Sequence, residues 1–213
     1  MKNISELKGI HKGYDIYVVA SGASAGYIDE SYFDNKYTIG VNRVWQRFHN
    51  LDYVVMKEST IGNAMISASR AMGFEVIVSR HNCGILKYKK NAVGDYVFDH
   101  LDNKLRDIDL SVIGTDTIVV SYSTITSAIH IAAYMGASNV ILIGHDCGTL
   151  DGLMNYPGYE EAPGGKAFYR NYITEIEPQT VALRERIKEV YNCNVYSLNP
   201  FINFGLEGHK YER

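Results

Sequence analysis

The chain of 213 residues is poor in cysteine and has no large excess of charge. Its three cysteines, Cys83, Cys147 and Cys193, are odd in number and far apart, with no C-x-x-C pair. That argues against a disulfide framework or a zinc knuckle and fits a reducing compartment. Twenty-one basic residues face 24 acidic ones, for a net charge of -3. The one basic run, Lys87, Lys89 and Lys90, is short. Nothing in this balance favours nucleic acid or a membrane surface as partner. No segment approaches the length that spans a bilayer, and the opening MKNISELKGIHKGYD lacks the apolar run of a signal peptide. The expectation is a soluble, cytoplasmic protein. Internal repeats, low-complexity linkers, G-x-G-x-x-G and the phosphate loop G-x-x-x-x-G-K-[ST] are also missing.

What is present is apolar: 46% of the residues, enough for a substantial core. Seventeen tyrosines are many for this length. Tyr14, Tyr17, Tyr27, Tyr32 and Tyr37 crowd the first part, and Tyr156, Tyr159, Tyr169 and Tyr172 a later loop. A flat ring with a polar tip suits pockets and subunit interfaces, so a homo-oligomer is one expectation. Partly buried packing is the other.

Strand and helix patterns alternate along the chain. Residues 15–20 (DIYVVA), 37–41 (YTIGV), 53–56 (YVVM), 75–79 (EVIVS), 117–121 (TIVVS), 139–143 (NVILI) and 194–197 read as strands. Residues 61–72, stopped by Gly73, 124–135 and 177–191 read as helices. Residues 82–116 are polar and irregular, with a short strand or hairpin near 95–98, and read as an insertion or flap. A loop from Gly144 to about Ile173 follows the 139–143 strand, and its residues 148–173 suit a lid. Strands separated by helices pair in parallel. The expected fold is therefore a single three-layer, Rossmann-like α/β domain with a mostly parallel sheet.

In such sheets, ligands bind beyond the carboxyl ends of the strands. Four strand ends carry chemistry. Ser21-Gly22-Ala23-Ser24-Ala25-Gly26 is a small-residue turn whose amides can approach a phosphate. Asn42-Arg43 offers an amide to read a nucleotide and a cation for phosphate or carboxylate. Ser121, Ser123, Thr124, Thr126 and Ser127 gather hydroxyls where a strand pattern meets a helix pattern. One or two would cap the helix; the surplus suits an anionic ligand. His130, midway along that apolar helix, reads as a core histidine. Gly144-His145-Asp146-Cys147-Gly148 supplies a carboxylate for Mg²⁺ or a sugar hydroxyl and a histidine that can act as general base.

The stretch SYSTITSAIHIAAYMGASNVILIGHDCG, with ASGASAG and YTIGVNRV before it and VYSLNPF after it, resembles the MptE-like 6-hydroxymethylpterin diphosphokinase family. It is similar also to bacterial CMP-sialic-acid sialyltransferases and to the flagellin-modifying motility accessory factors. Ala23 stands where proline is usual, and Tyr122 where a glycine often precedes the hydroxyls. The resemblance implies a nucleotide site from Gly22, Ser24, Asn42, Ser123, Thr124 and Asp146, which the residues themselves extend to Arg43, Thr126 and Ser127.

Three functions follow as expectations. The first is transfer of a group, a glycosyl group above all, from a CMP-linked or similar nucleotide-sugar donor to a hydroxyl acceptor. Asp146 then serves the site, and His145 or His209 takes the acceptor's proton. The second is ATP- and Mg²⁺-dependent diphosphoryl transfer to a pterin-like alcohol, with Asp146 as metal ligand and Asp116 or Asp151 as candidates for a second. The third is a nucleotide-binding or assembly module without catalysis.

Overall fold

The computed structural model describes residues 1–57, 62–80, 93–100, 107–159 and 165–198. Eight strands form one sheet: β1 (Lys2–Asn3), β2 (Asp15–Val19), β3 (Tyr37–Val41), β4 (Tyr53–Met56), β5 (Glu75–Ser79), β6 (Tyr96–Phe98), β7 (Asn139–Ile143) and β8 (Asn194–Ser197). Their spatial order is β1-β6-β5-β4-β3-β2-β7-β8, and every neighbouring pair is parallel. The α-helices are α1 (Gly62–Met72), α2 (Thr124–Tyr134) and α3 (Gly165–Tyr191). None among the described residues is long and apolar enough to cross a membrane.

The strands are apolar on both sides because both sides are covered. Ile16, Val18, Ile39, Val41, Val55, Ile77, Val140 and Leu142 point into one core with α2 and with Leu183 and Ile187 of α3. Their neighbours Val19, Val54, Val76, Val78, Ile141 and Ile143 point into a second core. That core is closed by Met65 of α1 and by short 3₁₀ turns over Ala23–Tyr27, Glu30–Phe33 and Val44–Gln46. The period of two thus feeds two layers from one sheet. Gly73 ends α1 with φ +87°, its N–H bonded to Ser69 O at 2.7 Å, the stop expected from its position.

Carboxylates finish the amino ends of the strands. Asp52 accepts from the Thr38 N–H (2.7 Å), Asp95 from the Val76 N–H (2.7 Å), and Asp15 from the Asn139 side-chain amide (2.7 Å). Two of these bonds satisfy strand amides that the ladder leaves without a partner.

Several elements differ from expectation. Residues 117–121 are not a strand: among the described residues, their one ladder contact is an isolated bridge from Thr117 to Asp99. The segment is extended and buried, but side chains of α2 satisfy its backbone instead of a neighbouring strand. The Ser127 hydroxyl donates to Val119 O (2.7 Å), and the Val119 N–H donates to His130 Nδ1 (3.1 Å). The short strand or hairpin expected near 95–98 is the strand β6, but it lies inside the sheet, between β1 and β5, and not in a flap over it. The rest of that segment lies largely outside the described residues. The loop expected to reach Ile173 ends earlier, because α3 starts at Gly165. β1 has no counterpart in the sequence reading.

Ser127 is fully buried. Ser127→Ala leaves Val119 O without its donor and is expected to lower stability by about 1–3 kcal/mol. Chemical denaturation checks this; an unchanged midpoint contradicts it.

Candidate functional site

The chain runs from β2 outward through β3, β4 and β5, then returns to the other side of β2 as β7 and β8. The switch point is thus the β2/β7 pair, the place in such sheets beyond whose carboxyl ends ligands bind. On one face the chain leaving β2 forms the Ala23–Tyr27 turn; on the other lies α2.

At this point the first and last expected strand ends meet. The Gly22 N–H donates to Gly144 O at 2.8 Å. Asp146, 2% exposed, receives the Ser24 N–H on Oδ2 at 2.8 Å and the Ser24 hydroxyl on Oδ1. Only glycine fits between them. A Cβ on Gly22 would lie 2.7 Å from Asp146 Cγ and press on the Gly144 carbonyl. Asp146 thereby fixes the course of the turn that follows β2. The loop after it adds a second clasp. The Ser21 hydroxyl donates to Asn155 Oδ1 (2.7 Å), and the Tyr156 N–H donates to Ser21 O (3.0 Å).

Asn42 follows β3 on the same rim, with φ 58°, a left-handed conformation that asparagine tolerates well. Its N–H bonds to Val55 O (3.0 Å), and its half-buried side chain has no hydrogen-bond partner among the described residues. Arg43 beside it is half-buried too.

The five hydroxyls before and in α2 divide by task. Ser123 is the N-cap, its Oγ accepting from the Ile125 N–H at 3.4 Å. Thr126 donates to Ser123 O (2.8 Å), so the Ser121 hydroxyl donates to Thr126 Oγ1 (2.9 Å). Ser127 holds Val119 O, as described. Ser121, Thr126 and Ser127 are fully buried and serve the protein's own interior. Ser123, half-buried, and the Thr124 hydroxyl remain at the helix start.

His145 turns away from this rim. Its ring lies in the interior, with Nε2 2.8 Å from Thr180 Oγ1 on α3. The Thr180 hydroxyl gives its proton to Ile176 O (3.0 Å), so His145 Nε2 carries the proton and donates. Burial lowers the His145 pKa to about 4, and the imidazole is neutral. His130 is the core histidine its apolar helix suggested: fully buried, accepting from Val119, with Nε2 3.2 Å from Tyr191 Oη. Burial lowers its pKa to about 3. Cys147 follows in a left-handed conformation, and burial pushes its thiol far above the ordinary range. His209 lies outside the described residues.

A Mg²⁺ ion needs several oxygen ligands in near-octahedral array. Both Asp146 oxygens accept from Ser24, and among the described residues no three His, Cys, Asp or Glu gather to hold a metal. Asp116 is bound at the far end of α2 by Tyr134 (2.6 Å), and Asp151 on the surface by Tyr27 (3.2 Å). Among the described residues, then, neither Asp116 nor Asp151 joins Asp146 as a second acidic ligand.

The strand ends also differ in charge. Asp15, Asp52, Glu75 and Asp95 stand at the starts of β2, β4, β5 and β6, with Lys2 in β1 and Lys36 before β3 as exceptions. Arg43, Lys57 and Arg80 stand just after β3, β4 and β5; Asp99 after β6 pairs with Arg80 at 3.1 Å. An open groove of about 1070 Å³ runs along the starts of the strands, lined by Tyr14, Tyr17, Tyr37 and the acids Asp15, Asp34 and Asp52. An anion is disfavoured there; at the opposite rim Arg43 and Lys57 favour one, against the buried carboxylate of Asp146. Lys57 escaped the sequence reading, although it directly follows the apolar run YVVM.

No family model matches the chain, and neither does any curated protein. Solved structures do. The sialyltransferase CstII from Campylobacter jejuni, in complex with a substrate analogue, cytidine-5'-monophosphate, superposes with a TM-score of 0.51 at 10% identity. The match covers 93% of this chain and 85% of that one. What the two share is the fold. The MAf glycosyltransferase from Magnetospirillum magneticum AMB-1 gives a TM-score of 0.48 at 13% identity, over 98% of this chain and 37% of that one.

Two measurements bear on this geometry. Gly22→Ala is expected to cost about 1–3 kcal/mol, since the obstacles are a backbone carbonyl and a buried carboxylate; wild-type thermal stability in the variant contradicts the close approach. The histidines set a pH dependence. Unfolded, His130 and His145 take up protons below about pH 6.5; folded, they stay neutral down to about 3 and 4. Their contribution is present above pH 6.5 and is lost as pH falls towards 4, by up to about 1.4 kcal/mol per pH unit for each. Denaturant titrations at pH 7, 6 and 5 read the slope; a flat profile contradicts it.

Proposed function

We propose that this protein binds a nucleotide-activated donor at the carboxyl rim of its sheet and transfers the activated group to a hydroxyl acceptor, with a CMP-linked sugar as donor class. The observation that carries this reading is the meeting of Gly22, Ser24 and Asp146 at the β2/β7 switch point, beside Asn42 and the start of α2. The fold shared with a sialyltransferase solved with cytidine-5'-monophosphate supports the choice of donor.

Asn42 reads the nucleotide, since an amide donates and accepts together. Ser123, Thr124 and the first amides of α2 meet the donor's anionic group, where the helix end favours negative charge. Arg43 adds a cation on the same rim. Asp146 acts through Ser24, setting the shape of the turn rather than touching the reacting atoms. A general base has to take the acceptor's proton. His145 is neutral but faces the interior, with its Nε2 proton given to Thr180, which leaves His209, in the tail, as the candidate base.

Binding tests the reading. CMP at a hundredfold excess over its Kd is expected to stabilise the protein by about 2.7 kcal/mol, a rise in melting temperature of about 5–10 °C. EDTA should leave this shift unchanged, and Asn42→Ala should reduce it. ATP binding that depends on Mg²⁺, with none for CMP, overturns the proposal in favour of diphosphoryl transfer.

A further inference from the structure

The open groove of about 1070 Å³ lies at the amino ends of the strands, so it takes no part in the donor site. Five-residue strands hold the two about 16 Å apart. Phe33, Leu51 and Met72 give the groove apolar lining, and Tyr14, Tyr17 and Tyr37 give it aromatic lining. Tyr14 is 57% exposed, yet its ring is held in an edge-to-face contact with Tyr37, centroids 5.2 Å apart. Tyr37 in turn packs on His11 at 4.0 Å. Rings fixed by their neighbours and open to solvent form a contact surface that needs little ordering on binding.

Charge in the groove is one-sided. Asp15, Asp34 and Asp52 each commit one oxygen to the protein, Asp15 to the Asn139 amide (2.7 Å), Asp34 to the Asn50 amide (2.8 Å) and Asp52 to Thr38 N (2.7 Å) and Oγ1 (3.0 Å). The second oxygen of each has no hydrogen-bond partner among the described residues, and none of the three is in an ion pair there. His49 pairs with Glu30 at 3.5 Å. The groove's one lysine, Lys36, leaves the three acids uncompensated: its Nζ sits over the rings of Tyr32 and Tyr17, 4.5 and 5.7 Å from their centroids. Lys36 thus shows that tyrosine faces at this place receive an ammonium group. A concave surface concentrates the field of like charges, here in favour of a further cation.

We propose that this groove is a docking surface for a lysine-bearing segment of a partner protein. Its ammonium groups meet Asp15, Asp34 and Asp52, and its aliphatic stems lie on Tyr14, Tyr37 and Met72. Charge complementarity selects the lysines. Size selects a segment of chain over a small molecule, since small-molecule pockets enclose about 300–1000 Å³ and this groove is larger and open. The inference is independent of the donor site, and CMP binding does not enter its test.

The test titrates the labelled protein with hexalysine at low salt and follows amide chemical shifts. Saturable shifts at Tyr14, Tyr37 and Asn50 are expected, with Gly22 and Asn42 unmoved. Hexalysine acetylated on every side chain keeps its length but loses its charge, and should bind at least about tenfold more weakly. Asp34→Asn retains the oxygen that accepts from Asn50 and removes one charge; it should weaken hexalysine binding about two- to fivefold. Tyr14→Ala, at an exposed ring, should do the same. Glu189→Gln removes an equal charge from the exposed face of α3 and should leave binding unchanged. If Tyr14→Ala does not fold, Asp34→Asn decides against Glu189→Gln. Equal losses in Asp34→Asn and Glu189→Gln would reduce the effect to net charge and overturn the proposal. So would absence of hexalysine binding, or acetylated hexalysine binding as tightly. Spermine binding at least as tightly as hexalysine overturns it in favour of a free polyamine.

Discussion

The carboxylate of Asp146 accepts two hydrogen bonds from one residue, Ser24, across the switch point of the sheet. A buried carboxylate without donors would be costly enough to unfold its surroundings; with two donors it becomes a fixed clasp. Much of the rim follows from it. The turn after β2 must come close, so Gly22 can carry no Cβ. The strand before Asp146 must turn sharply at Gly144, whose φ is +66°. The Asn155–Tyr156 segment then folds back onto Ser21, anchoring the long loop after β7 to the end of β2. One carboxylate, placed where two neighbouring strands end, ties their loops together.

The same economy of partners runs through the rest of the sheet. At the strand starts, carboxylates take up backbone amides left over by the ladder, as Asp52 does for Thr38 and Asp95 for Val76. At the approach to α2, hydroxyls and an imidazole do the work of a missing strand neighbour, as Ser127 and His130 do for Val119. The acids therefore collect at one end of the strands, and Arg43, Lys57 and Arg80 at the other. The charge difference that favours an anion at the carboxyl rim is partly a by-product of satisfying the sheet.

Much of this was legible in the residues. The runs YTIGV, YVVM, EVIVS and NVILI became β3, β4, β5 and β7 at the expected bounds, because β-branched residues that are apolar on both faces have few other places to go. TIVVS has the same composition and is no strand. What separates it from the others is an alternative set of backbone partners, eight and eleven residues downstream of Val119, visible only once α2 has folded beside it. The hydroxyls of Thr126 and Ser127 looked like ligand groups for the same reason: composition shows a donor but not the acceptor it meets. The short strand β6 was visible near 95–98, but its place in the sheet, and β1 altogether, come from pairing with each other and with β5, a long-range effect that two or three residues do not announce. At the site, the pairing of Gly22, Ser24 and Asp146 came from the rule that ligands sit at strand ends. Lys57 directly follows the end of β4, where the same rule points to it, but its burial shows only in the folded chain.

The central claim is that the nucleotide lies at the carboxyl rim and not in the groove at the opposite edge. Amide chemical-shift mapping of the labelled protein during titration with CMP tests it most directly. Saturable shifts at Gly22, Asn42, Ser123 and Thr124, with Tyr14, Tyr37 and Asn50 unmoved, are the expected result. Shifts confined to Tyr14, Tyr37 and Asn50, in the acid-lined groove, would contradict it.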